Sequence, residues 1–231
     1  MNINSSDKPV HSQVRRIRTT RRSLSGVYAF RGETPIQFES SLERDFVIRK
    51  EFSLAVLEVI PQPCQIPFIG ENGRAFTYTP DFLVYYRLGD KAYPDFPRPV
   101  LIEVKPEAEW RKNWRKWLPK WKAAYRYAKE QGWAFHIHDE TRIRDQAFEN
   151  IKFLERYKRM QFPAEESRWI VDNVQQMGSA PLHFLLARHF MGKYRAEGIS
   201  HLWYLLATRQ LDCDITRPLN DTTELWIPTN E

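Results

Sequence analysis

Apolar patterns divide the first part of the chain into a helix, three strands, a second helix and a further strand. Apolar residues recur at helical intervals in the helical parts, and they alternate or form short runs in the strands. Pro119 interrupts the second helical pattern, so we expect a new helix to begin there, where a missing N–H is tolerated. The predicted elements are a helix over 40–52, strands within 54–69, 74–87 and 100–104, a helical segment over 107–131 and a strand over 135–138.

Past residue 145 the pattern becomes mostly helical. Helices followed by a hairpin-like turn at Asn220-Asp221 are typical of a winged helix, and a helical interaction module would leave a similar pattern. The helix-turn-helix part would span 180–211, with Gly192 and Gly198 near its turn. The expected fold class is therefore α/β: a mixed sheet core flanked by helices, with a C-terminal, mostly helical, winged-helix-like domain. The helical patterns cover 146–158, 164–177, 180–190 and 199–211.

The N-terminal segment is basic and poor in apolar residues, unlike the rest of the chain. We expect it to be a flexible arm, either a solvated tail or a segment that contacts DNA or a partner protein. The predicted organisation is a basic arm over 1–33, a catalytic domain over 34–145 and a partner- or DNA-interaction domain over 146–231. The arginines of the arm are Arg15, Arg16, Arg18, Arg21 and Arg22.

Composition narrows the classes of function without deciding among them. The 231 residues are 42% hydrophobic, as expected of a folded protein, and the net charge of +6 favours a polyanionic partner. Cys64 and Cys213 lie far apart and outside any CxxC pattern, so neither a disulfide framework nor a zinc site is expected. No run approaches the roughly 18 apolar residues of a membrane span. A cytoplasmic location is the expectation.

Charged residues at the ends of two consecutive predicted strands carry the strongest chemical signal. Asp81 follows a Thr-Pro turn at the start of one strand, and Glu103 and Lys105 lie on the next. Because alternate residues of a strand face the same side, Glu103 and Lys105 should project together, and a hairpin would bring Asp81 beside them. Clustered carboxylates can hold Mg²⁺ and an attacking water against a phosphodiester. The pattern predicts a metal-dependent DNA endonuclease.

Each residue of this cluster has an expected role. Asp81 and Glu103 would ligate one or two Mg²⁺ ions, for which Mn²⁺ can substitute. Glu43, from the preceding helix, and the backbone carbonyl of Val104 would complete the ligand set. Lys105 would orient the attacking water or help to deprotonate it. Taken singly, a Pro-Asp pair or a Glu-x-Lys pair is more often an ordinary surface feature, and it is their order along the chain that favours catalysis.

The helical segment after Lys105 has an aromatic face and a basic face. The aromatic face is expected to pack against the sheet rather than to stack on bases, and it comprises Trp110, Trp114, Trp117, Trp121, Ala124 and Ala128. The basic face is either a solvated surface or a contact for DNA phosphates. Its residues are Arg111, Lys112, Arg115, Lys116, Lys120 and Lys122.

Five motifs in order resemble the TnsA family, endonuclease subunits of heteromeric bacterial transposases within the PD-(D/E)xK nuclease superfamily. They are FESSLERDF, Gln62-Pro63, YTPDFLV, IEVKP and the segment from Gly132 to Phe135. The resemblance covers about residues 25–145 and implies a restriction-endonuclease-like core. By position it places the catalytic acids on Glu43, Asp81 and Glu103 and the catalytic lysine on Lys105.

The resemblance also implies a function and partners. Members of the family cut the 5′ ends of a transposon, while a DDE-type transposase, TnsB, cuts and joins the 3′ ends. They dock on an AAA+ regulator, TnsC, through their C-terminal part. Two other functions stay open: a stand-alone restriction or repair endonuclease of the same fold, and a catalytically inactive DNA-binding adaptor.

Overall fold

The described residues form two compact units that divide between Ile143 and Arg144. The structure, a computed structural model, describes residues 12–14, 24–87, 97–191 and 195–229. Within these residues, no helix combines the length and the apolar character needed to cross a membrane.

A four-stranded mixed sheet organises the first unit. Its strands, in spatial order, are β3 (Val56–Pro61), β6 (Phe82–Tyr86), β7 (Val100–Val104) and β8 (Ala134–His138). β7 is antiparallel to β6 and parallel to β8, so the predicted α/β core with a mixed sheet is confirmed. The elements are β1 (Gly26–Phe30), β2 (Thr34–Phe38), α1 (Ser41–Phe52), β3 (Val56–Pro61), β4 (Ile66–Ile69), β5 (Ala75–Tyr78), β6 (Phe82–Tyr86), β7 (Val100–Val104), α2 (Glu107–Glu130), β8 (Ala134–His138) and α3 (Glu140–Ile143).

Helices cover the two faces of this sheet. On one face, Phe46 of α1 stacks on Phe82 of β6 with ring centroids 5.0 Å apart, and Ile102 of β7 is buried in the same cluster. On the other face, Ala124 and Ala128 of α2 are fully buried with neighbouring residues of β6 and β7. Successive side chains of a strand point to opposite faces of the sheet, so alternate residues pack in the two different clusters.

The register of β6 and β7 determines where the charged residues meet. Phe82 pairs with Ile102 in the antiparallel ladder, so Asp81, one residue before β6, comes next to Glu103 on β7. The predicted hairpin therefore brings the first carboxylate beside the second. The loop between these strands lies mostly outside the described residues.

Helix α2 runs unbroken through Pro119, so the predicted restart at that residue is wrong. A proline removes one backbone hydrogen bond, and packing of the apolar face outweighs that loss here. Trp121 is buried, whereas Trp114, expected on the same packed face, is 45% exposed. The aromatic face therefore packs against the sheet along only part of its length.

The last residues of the predicted N-terminal arm, which covers 1–33, are folded in the structure. Residues Gly26–Phe30 form β1, which pairs with β2 in an antiparallel hairpin, and Phe30 is buried in the core. Residues 26–33 therefore belong to the folded unit. The five arginines of the predicted arm lie outside the described residues.

The second unit combines helices with a short sheet. β9 (Ser179–Pro181) pairs antiparallel with β10 (Glu224–Trp226), and Asp212 adds an isolated bridge to Trp226 of β10. Helices occur at each of the four positions that the sequence predicts. Gly198 lies inside the last helix, packed against Phe190, and not at a turn, whereas Gly192 is outside the described residues. The elements are α4 (Gln146–Glu155), α5 (Ala164–Met177), β9 (Ser179–Pro181), α6 (Leu182–His189), α7 (Arg195–Ala207) and β10 (Glu224–Trp226).

Candidate active site

Three of the four predicted catalytic residues meet at the junction of β6 and β7. The Asp81 carboxylate accepts a hydrogen bond of 2.7 Å from the backbone N–H of Val104. The Lys105 ammonium lies 3.4 Å from Asp81 Oδ2 and 3.8 Å from Glu103 Oε1. The backbone N–H of Lys105 donates to the carbonyl of His138, which extends the pairing of β7 with β8. The sheet itself therefore positions this cluster.

Glu103 is the most deeply buried member of the cluster, with 1% of its surface exposed. Its Oε2 accepts a hydrogen bond of 2.5 Å from the Tyr78 hydroxyl, and its Oε1 lies 2.7 Å from the Lys120 ammonium. A buried carboxylate needs such partners, because an unpaired charge away from water is unfavourable. Both oxygens of Glu103 thus contact a donor from another element of the fold.

The electrostatics of the cluster follow from burial and from crowding of negative charge. Burial raises the pKa of Asp81 well above its usual range, and the neighbouring Glu103 raises it further. Burial alone would lower the pKa of Lys105, but the carboxylates of Asp81 and Glu103 outweigh it and raise that pKa. Lys105 is therefore an ammonium at neutral pH, suited to orient a water or a phosphate rather than to accept a proton.

Glu43 lies at the edge of this cluster, but its carboxylate is hydrogen-bonded to residues at the start of α1. Its Oε2 accepts a hydrogen bond of 2.7 Å from the backbone N–H of Glu39, and its Oε1 accepts one of 3.0 Å from the Ser40 hydroxyl. Ser40 Oγ accepts in turn from the N–H of Glu43, so Ser40 caps the start of α1 and the Glu43 side chain bonds the two residues that precede the helix. Burial raises the pKa of Glu43, and the charge of Lys105 opposes that rise. Here Glu43 stabilises a helix end.

The donor groups suit a hard divalent cation, since carboxylate oxygens are the ligands that Mg²⁺ prefers. Among the residues that the structure describes, however, no three His, Cys, Asp or Glu side chains are arranged around a common point to hold an ion. In this structure the two oxygens of Glu103 contact the Lys120 ammonium and the Tyr78 hydroxyl. Val104 contributes its N–H to Asp81, and its carbonyl stays a predicted ligand.

Comparison with known protein families accounts for most of the chain. Residues 53–140 match the family described as TnsA-like endonuclease N terminal, and residues 142–215 match the one described as TnsA endonuclease C terminal. The chain belongs to the TnsA endonuclease family. Its members are transposition-associated nucleases, with DNA as substrate and a transposase partner in the Tn7 system. No curated protein sequence matches the chain.

The two TnsA matches follow the division of the structure into units. The first contains Asp81, Glu103 and Lys105 and ends three residues before the division, and the second begins two residues before it. Glu43 precedes the first match, in α1. The first match therefore includes the three residues of the β6–β7 cluster and excludes Glu43, and the catalytic role of all four residues stays a prediction.

The basic face predicted for α2 is present in this TnsA family member, with one exception. Arg111 pairs with Glu107 one turn earlier, and Arg115 lies over the exposed ring of Trp114. Lys120 instead turns inward: it is 17% exposed, it bonds Glu103, and it lies over the ring of Tyr78 at 4.7 Å. The exposed members of the basic face are Arg111, Lys112, Arg115, Lys116 and Lys122.

The sequence contains a signal for the observed position of Lys120 and another for the observed contacts of Glu43. Lys120 stands three positions after Trp117 and four before Ala124, which puts it on the packed side of the helix. Ser40 and Glu43 have the spacing of a capping box. Tyr78 carries no comparable local signal, because its contact with Glu103 depends on how β5 packs against the sheet.

Proposed function

We propose that this protein is a metal-dependent endonuclease that hydrolyses the 5′ ends of a transposon, while a TnsB-like DDE transposase cuts and joins the 3′ ends. The observation that carries the proposal is the meeting of Asp81, Glu103 and Lys105 beside the sheet. Through the family, the proposal extends to a TnsC-like AAA+ regulator that docks on the second unit. The family match favours this function over a stand-alone restriction or repair nuclease.

In this proposal Asp81 and Glu103 hold one or two Mg²⁺ ions, with Glu43 and the Val104 carbonyl as further candidate ligands. Mg²⁺ held there would supply a water of lowered pKa and would offset the charge of the scissile phosphate. Lys105, protonated and fixed by its neighbours, donates to the attacking water or to a phosphate oxygen. The exposed basic residues of α2 bind the DNA backbone on either side.

Lys120, unlike Lys105, is proposed to affect metal binding rather than the reaction itself. Its ammonium lies 2.7 Å from Oε1 of Glu103, the oxygen that also faces Lys105. A metal ion held by that oxygen would have to displace the lysine or share the oxygen with it. While it stays, Lys120 neutralises a carboxylate that is otherwise buried. We infer that the ion pair between Lys120 and Glu103 competes with metal.

The strand that is cut tests the proposed function directly. A donor DNA carrying the transposon ends, labelled on each strand in turn, is incubated with the protein, its TnsB-like and TnsC-like partners and Mg²⁺. We expect cleavage by this protein at the 5′ ends alone, and 3′ cleavage only when the transposase is present. Cutting of both strands by this protein without partners would instead support the stand-alone nuclease.

Replacing Lys120 with Met should tighten binding of Mn²⁺ and destabilise the metal-free protein. The variant removes one partner of a buried ion pair and leaves Glu103 with Tyr78 and Lys105. We expect a loss of roughly 3–5 kcal/mol in the free energy of unfolding. Saturating Mn²⁺ should recover much of that loss. Calorimetric titration and thermal unfolding measure both effects.

The matched control is Lys116→Met, which removes an exposed lysine one turn earlier on the same helix. It should leave both the affinity for Mn²⁺ and the unfolding temperature unchanged. Equal Mn²⁺ affinities for Lys120→Met and the wild type would show that the lysine does not compete with metal.

A further inference from the structure

A groove of about 380 Å³ lies between the β4–β5 hairpin and helix α2. We call it the aromatic groove. Phe68 and Phe76 line it from the hairpin, and Trp117 lines it from the helix together with Lys116 and Lys120. Its lining is therefore mostly apolar, with lysines on the helix side.

The hairpin holds Phe76 at the surface in a defined position. Phe76 is 47% exposed and stacks on Phe68, with ring centroids 5.6 Å apart and ring planes inclined by 26°. Gly70 permits this arrangement, because a Cβ at that position would come within 2.8 Å of the Phe76 ring. Gly73 at the tip has a φ of +73°, which favours glycine. A large aromatic face is thus presented to solvent by a tight turn.

Lys120 connects the aromatic groove to the candidate active site. Its ammonium bonds Glu103 at 2.7 Å and lies 4.9 Å from the centre of the Trp117 ring. One side chain therefore separates the groove from the carboxylate cluster. Lys116 adds a second positive charge on the helix side, whereas Glu71 places a negative charge at the hairpin tip. A phosphate would be attracted to the helix side and repelled from the tip.

We propose that the aromatic groove binds an unpaired nucleobase of the DNA strand next to the scissile phosphate. The base would stack on Phe76, and its phosphate would face Lys116 and Lys120. Aromatic rings bind bases of any sequence by stacking, and neighbouring lysines attract the phosphate backbone. A cationic peptide fits this lining poorly because the lysines would repel it. The inference rests on the proposed function, since the bound nucleotide is the neighbour of the phosphate that the candidate active site would cleave.

Fluorescence of 2-aminopurine tests the proposal with the full-length protein. The probe is a duplex with 2-aminopurine in a short single-stranded overhang, and a blunt duplex of the same sequence serves for comparison. Asp81→Asn in EDTA is the background, so that binding is measured without cleavage. We expect the fluorescence to fall on binding, and Phe76→Leu to weaken binding of the overhang duplex by roughly tenfold. Binding of the blunt duplex should not change.

Three further variants separate loss of the ring from loss of the fold. Phe76→Tyr keeps an aromatic face and should bind the overhang duplex as tightly as the background protein. Phe184→Leu removes an exposed phenylalanine from α6 and should have no effect. Lys116→Met should weaken binding of the overhang duplex more than that of the blunt one. If Phe76→Leu unfolds, the comparison rests on Phe76→Tyr and Lys116→Met.

The proposal is overturned if 2-aminopurine fluorescence is unchanged on binding, or if Phe76→Leu binds the overhang duplex as tightly as the background protein does. Cleavage by the wild type with Mg²⁺ and its TnsB-like and TnsC-like partners is measured separately. Normal cleavage without quenching of 2-aminopurine would overturn the proposal that the aromatic groove binds a base and would leave the proposed hydrolysis intact. Quenching that depends on Phe76, without any cleavage, would overturn the proposed hydrolysis and support the groove.

Discussion

Replacing Asp81 with Asn is expected to abolish DNA cleavage and to leave the protein folded. Asn can still accept the hydrogen bond from the N–H of Val104, but it brings no negative charge to a metal ion. Because burial and Glu103 raise the pKa of Asp81, its ionised form is unfavourable in the metal-free protein. Removing that charge should therefore leave the unfolding temperature equal or higher. Strand cleavage and thermal unfolding measure the two effects.

The matched control is Glu107→Gln, at the start of the helix that follows the cluster. That carboxylate pairs with Arg111 on the surface of α2. The variant should cut DNA as the wild type does, because a surface ion pair contributes roughly 0–1 kcal/mol. Undiminished 5′ cutting by Asp81→Asn would refute the assignment of the active site.

Replacing Lys105 with Ala should reduce the rate of cleavage by about 10²-fold or more while DNA affinity changes little. The lysine is surrounded by the carboxylates of Asp81 and Glu103, so it is positioned for the reacting groups rather than for the DNA backbone. Single-turnover cleavage gives the rate, and a binding titration over a range of salt concentrations gives the number of phosphate contacts.

Lys112→Ala is the control for Lys105, because Lys112 is exposed on the basic face of α2. It should weaken binding and lower the salt dependence, with the single-turnover rate at saturation unchanged. If Lys105→Ala behaved in the same way as Lys112→Ala, Lys105 would be a backbone contact and not a catalytic residue.

The central part of the site could be predicted because it depends on local rules. Strand parity alone places Glu103 and Lys105 on one side of β7, and pairing of consecutive strands brings Asp81 to them. The structure has both arrangements. This prediction needs only the alternation of side chains along one strand and the pairing of two consecutive strands. Both can be read from the sequence.

The rest of the site depends on packing between distant elements. Tyr78 and Lys120 reach Glu103 from β5 and α2, and neither contact follows from the spacing of residues near Glu103. The continuity of α2 through Pro119 has the same origin, since the sheet beneath it stabilises a helix that local propensity would break. Likewise β1, expected within an arm, becomes a strand by pairing with β2 and burying Phe30.

The hydrogen bond from the Val104 amide to Asp81 has a consequence for spectroscopy. Val104 is the last residue of β7, which is paired with a neighbouring strand on each side. Its amide proton is donated to the carboxylate at the centre of the proposed chemistry. The ¹⁵N–¹H resonance of this one amide reports the charge of Asp81 without any introduced label, so ionisation and metal loading can be followed on the unmodified protein.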